Sequence, residues 1–87
     1  MDEKYMEEAL HLARQAAAAG EVPVGCVIVK DGVIIGRGKN TREARKNPLH
    51  HAEIIARDQA CRTVDGWRLS GCQLYVLALI HISARVS

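Results

Sequence analysis

His51 and Glu53 stand two residues apart where a helix begins, in His50-His51-Ala52-Glu53-Ile54-Ile55-Ala56, just after Lys46-Asn47-Pro48-Leu49. A neutral imidazole is a good zinc ligand, and zinc lowers the pKa of a bound water to about 7. A carboxylate beside such a water can take its proton and pass it on, a general acid–base role suited to hydrolysis. His51 is thus a candidate metal ligand and Glu53 a candidate catalytic residue. Alone, H-x-E is a weak signal that more often describes a solvated helix start with an acidic first turn, so the surrounding elements must decide.

Those elements read in order as follows. Residues 3–19 are expected to form an amphipathic helix, with Met6, Ala9, Leu10, Ala13, Ala16 and Ala17 recurring at three- and four-residue steps. Glu7, Glu8, Arg14 and Gln15 fall outside that stripe, Asp2 is placed to cap the helix and Gly20 to stop it. A face this rich in alanine implies close packing against something flat. Pro23 to Lys30 and Val33 to Gly38 read as strands joined by Asp31-Gly32, a pair that tolerates the positive φ angles of a two-residue hairpin. The first strand is apolar enough to be covered on both faces, with Cys26 as a small buried hydrophobe.

The stretch 37–50 carries Arg37, Lys39, Arg42, Arg45 and Lys46 against a single acid, Glu43. It reads as a solvated basic loop or, beside a site, as a rim for a phosphate-bearing substrate. Asn40 opens this loop, and its amide can donate and accept, which fits a nucleoside or a turn. Residues 50–63 read as a helix with Ile54, Ile55, Gln59 and Ala60 among the inward candidates, and with the Glu53 carboxylate favoured by first-turn N–H groups. After Asp65-Gly66-Trp67-Arg68, Cys72 to Ile82 reads as a third strand. Helix, hairpin, helix, strand is the opening of an α/β sandwich. A mixed sheet is expected, the last strand lying parallel to one of the hairpin pair.

Composition sets the outer bounds. Eighty-seven residues make one small domain, and the 48% apolar share is rich in alanine and contains no Phe. A net charge of +2 argues for no partner by itself. Cys26, Cys61 and Cys72 are an odd count without a CxxC pair, which argues against a disulfide framework. The acidic start Met1-Asp2-Glu3-Lys4 does not read as a signal peptide, and no apolar run approaches a membrane span, so a cytoplasmic location with no membrane partner is expected.

Together, Gly20-Glu21-Val22-Pro23-Val24-Gly25, Asp31-Gly32, Asn40, Asn47-Pro48, His51-Ala52-Glu53-Ile54 and Trp67-Arg68-Leu69-Ser70-Gly71-Cys72-Gln73-Leu74-Tyr75-Val76 resemble the bacterial tRNA-specific adenosine deaminases. These are cytidine-deaminase-like zinc hydrolases whose family signature is H-x-E…P-C-x-x-C. The resemblance implies part of a three-layer α-β-α sandwich in which later strands and helices are missing. It implies Zn2+ as cofactor, with His51 one ligand and two cysteines of the PCxxC stretch the others. It further implies Glu53 as proton relay, Asn40 as a nucleoside contact, adenosine-to-inosine conversion at the tRNA wobble position, an anticodon loop as partner and a homodimer. A free-base or nucleoside deaminase of the same fold acting on cytosine, guanine or cytidine is the alternative, as is a non-catalytic subunit or fragment.

The resemblance stops at Val76. Residues 1–76 read as the N-terminal part of a deaminase domain and 77–87 as a divergent tail, in which His81 and Ala84 stand where the two cysteine ligands would be expected. His51 and His81 would make two ligands, whereas a catalytic zinc takes three plus a water. The expectation is therefore a C-terminally truncated domain that lacks activity alone. Its third strand is expected to be left as an uncharged, aggregation-prone edge.

Overall fold

A computed structural model describes residues 3–41, 47–63 and 71–79, together with the backbone of residues 83–86. The Asp2 cap, the basic residues Arg42, Arg45 and Lys46, the Trp67-Arg68 stretch and His81 lie outside the described residues. The elements are α1 (Glu3–Ala18), β1 (Val24–Lys30), β2 (Val33–Lys39), α2 (Pro48–Thr63), β3 (Gln73–Ala78) and β4 (Ser83–Val86).

Helix α1 ends as expected at Gly20, which adopts φ of 80°. The Gly20 N–H donates to the Ala17 carbonyl and the Glu21 N–H to the Ala16 carbonyl, the paired bonds that close a helix through a left-handed glycine. Its buried side is Tyr5, Ala9, Leu12, Ala13 and Ala16. Ala17 is exposed, contrary to the periodic reading, because it lies about 100° around the helix from Ala16. The Tyr5 hydroxyl instead reaches the Gly32 carbonyl at 2.7 Å, and its ring leans on Tyr75 with centroids 5.3 Å apart.

The hairpin is the expected one. Asp31 and Gly32 have φ of 52° and 78°, and Lys30 pairs with Val33 across them. One residue of β2 is extra: Ile28 pairs with Gly36 but Val29 with Ile34, which leaves Ile35 in a bulge. Strand β1 is buried along nearly its whole length, Cys26 included, as a central strand covered on both faces must be.

The sheet order is β2-β1-β3-β4, with every described pairing antiparallel. This corrects the mixed sheet: β3 does run in the direction of β2, but β1 lies between them, so the third strand pairs antiparallel with β1. The 72–82 segment is also not one strand. It ends at Ala78, and β4 then pairs back onto β3 from Tyr75 to Ala78, so β3 is not left as the edge.

The two helices cover opposite faces, and both approach at small residues. A Cβ on Gly25 would collide with the α1 backbone at Ala9 and Ala13. On the other face, one on Gly36 would meet Ala56 and Ala60, and one on Gly38 would meet Ala52 and Ala56. Ala52, Ala56 and Ala60 are fully buried at four-residue spacing, and they share a core with Val24, Cys26, Ile28, Leu74 and Val76. Ile54, expected to face inward, is 50% exposed because it lies off that line. Gln59 is also exposed, yet its side-chain oxygen accepts the Arg37 backbone N–H on β2 at 2.7 Å.

Gly38→Ala is expected to destabilise the chain by about 1–3 kcal/mol or more through forced separation of α2 from β2. The exposed Ala17→Ser should stay within about 0.5 kcal/mol. Urea midpoints at unchanged slope would check both.

Candidate active site

The site forms where β2 ends and α2 begins. Helix α2 starts at Pro48, two residues before the expected boundary. Proline suits a first helical position because it has no N–H to satisfy there. Asn47 caps it from a left-handed conformation at φ of 50°, its side-chain oxygen accepting the His50 N–H at 3.1 Å and its carbonyl the His51 N–H at 3.1 Å. The earlier start corrects the expected placement: Glu53 stands in the second turn, beyond the free first-turn N–H groups, which do not reach its carboxylate.

Since Ala52 points into the sheet, His51 and Glu53 lie about 100° to either side of the buried line. Both are half-buried. His51 Nε2 is 2.8 Å from the Thr41 hydroxyl oxygen, a bond that joins the exit of β2 to the start of α2. Glu53 Oε2 accepts from Arg57 Nε at 3.0 Å, one turn further along.

Asn40 precedes Thr41 and is not a loop-tip residue. Its N–H donates to the Val24 carbonyl at 3.2 Å, extending the β1–β2 ladder by one bond. The residue is 2% exposed, and its side-chain N–H donates to the Val22 carbonyl at 3.4 Å. The Asn40 side-chain oxygen is buried without a partner among the described residues. A buried acceptor left open costs free energy, and a donor supplied by a ligand would recover it.

The basic rim divides. Arg37 and Lys39 belong to β2 and turn to the α1 face, Arg37 Nε toward Glu8 at 3.2 Å and Lys39 Nζ toward Gln15 Oε1 at 3.2 Å. They therefore lie across the sheet from His51 and Glu53, because alternate residues of a strand point to opposite faces. The sequence reading also missed Thr41. No motif marks it, and only its proximity to His51 in space singles it out.

The chain has known relatives. A family model described as the cytidine and deoxycytidylate deaminase zinc-binding region matches residues 1–82. The chain belongs to that family. It is 47% identical over 75 residues to a tRNA-specific adenosine deaminase of Bacillus subtilis, covering 86% of this chain and 47% of that protein. The Aquifex aeolicus tRNA-specific adenosine deaminase is 46% identical over 74 residues, covering 85% of this chain and 49% of that one. Among solved structures, one from work on A-to-I editing by tRNA:A34 deaminases superimposes with a TM-score of 0.74 at 40% identity, covering 86% of this chain and 58% of the other. A Bacillus subtilis guanine deaminase gives 0.71 at 38%, covering 87% and 50%. The chain thus spans about half the length of the curated relatives it matches.

The family is a zinc-binding one. His51 suits one ligand position by type and placement, but the described residues contain no group of three His, Cys, Asp or Glu side chains able to hold a metal. The described donor set does not fit a catalytic zinc. Among the described residues, no helix is long and apolar enough to cross a membrane.

Asn47→Ala is expected to cost about 1–2 kcal/mol by removing the α2 cap, Asn47→Gly only a few tenths. Arg57→Ala should cost less than about 0.5 kcal/mol, as an exposed pair one turn apart does. Thermal melts should place Asn47→Ala clearly below the other two variants.

Proposed function

We propose that this chain is the N-terminal part, residues 1–76 with an added tail, of a zinc-dependent deaminase that hydrolyses adenosine to inosine at the wobble position of tRNA. The observation that carries the reading is the buried, open side-chain oxygen of Asn40, next in the chain to the residue that hydrogen-bonds His51. An amide that offers a bare acceptor at the end of β2 suits a nucleoside, which brings donors with it. Glu53 is the proposed proton relay, moving a proton to the departing ammonia after exchanging its Arg57 contact for the site. His51 is the proposed zinc ligand. An anticodon loop is the partner in this reading, a cytoplasmic location accompanies a tRNA substrate, and a homodimer is the proposed assembly of the completed enzyme.

The guanine deaminase likeness supports a second reading, deamination of a free base or nucleoside on the same fold. The named tRNA-specific relatives favour the first.

On its own, the 87-residue chain is expected to bind well under one zinc by elemental analysis and to form no inosine in an anticodon stem-loop. A chimera that joins residues 1–76 to the remaining length of the Bacillus subtilis enzyme should form inosine in that RNA. Glu53→Ala in the chimera should lower the rate by about 100-fold or more. Deamination of guanine, cytosine or cytidine with the RNA untouched would replace the first reading by the second.

A further inference from the structure

The Thr41–His51 bond carries a consequence for the histidine ring. A neutral imidazole bears one proton, and the nitrogen that holds it is set by the partner of the other. His51 Nε2 faces the Thr41 oxygen at 2.8 Å, and a hydroxyl can either donate or accept there. If Thr41 donated, the ring proton would sit on Nδ1, which makes no hydrogen bond to another described residue. With the proton on Nε2 the ring N–H is satisfied and Nδ1 keeps its lone pair.

We propose that Thr41 is a positioning residue: its hydroxyl oxygen accepts the His51 Nε2–H, which fixes the ring's orientation and leaves Nδ1 as the open nitrogen. The position is suited to this task. Asn40 is locked to Val24 by the last bond of the hairpin ladder, so the residue after it is delivered to a defined place. His51 is held from the other side by the α2 cap and by the burial of Ala52 against Gly38. Two rigid elements therefore meet at this one bond, which spans ten residues of sequence. The use of the Nδ1 lone pair as a metal ligand rests on the functional reading above; the position of the ring proton does not.

The test is nitrogen-15 NMR of the metal-free 87-residue chain at alkaline pH, where imidazoles are neutral, with His51 assigned by a His51→Gln control. The wild-type chain should show the proton mainly on Nε2. Thr41→Val, which keeps the shape and removes the oxygen, should shift the tautomer ratio about fivefold toward Nδ1–H, the effect of one ordinary hydrogen bond. Thr41→Ser should restore it. A wild-type spectrum dominated by Nδ1–H overturns the proposal even if no variant folds, and so does a Thr41→Val ratio equal to wild type. Absence of inosine from the chimera would count against the deaminase reading alone, since the tautomer is read without zinc or substrate.

Discussion

The close approach of α2 to β2 is the constraint on which the rest depends. Helices normally stand off a sheet at a distance set by their side chains. Here alanines at positions 52, 56 and 60 lie directly over Gly36 and Gly38, so that one backbone nearly touches the other. Dispersion and burial both gain from that proximity, but only while both surfaces stay small. The same device holds α1 on Gly25 across the sheet. A chain without phenylalanine thereby builds two tight interfaces from residues that individually bury little.

This packing also decides where the chemistry sits. Register between α2 and β2 brings the cap of α2 beside the exit of β2, and the Thr41–His51 bond closes the gap between them. Ala52 turned inward leaves His51 and Glu53 on the two shoulders of the helix. The open oxygen of Asn40 lies at the end of the ladder that β1 and β2 share. The polar residues of the site are thus fixed by backbone elements rather than by one another.

Zinc is the metal of the family. The family binds it, yet the described residues bring together no three donors, and the chain spans about half the length of the curated relatives it matches. A small metal site couples ligand count to folding energy as well as to reactivity. In the chain itself, the contact between His51 Nε2 and the Thr41 hydroxyl oxygen ties the histidine to the end of β2. β4 pairs with β3 and leaves its own outer side as the edge of the described sheet.

Much of this was written in local chemistry. Asp31-Gly32 implied its hairpin because few residue pairs accept two positive φ angles, and Gly20 implied the end of α1 for the same reason. An unbroken apolar run marked β1 as central, and H-x-E with Asn40 marked the candidate residues. The remainder depended on contacts between distant segments, which residue types along one stretch do not encode. Periodicity offered Ile54 and Ala60 alike as inward residues of α2, but the glycines of β2 kept Ala60, added Ala52 and Ala56, and left Ile54 outside. Strand propensity is the same for parallel and antiparallel pairing, so only the path of the chain through α2 set β3 antiparallel against β1. Composition grouped Arg37 and Lys39 with the basic loop, whereas strand alternation sent them to the α1 face. Residue identity alone determined which local conformations and which chemistry were possible; tertiary packing decided which side chains share a face, because that depends on the backbone brought opposite them.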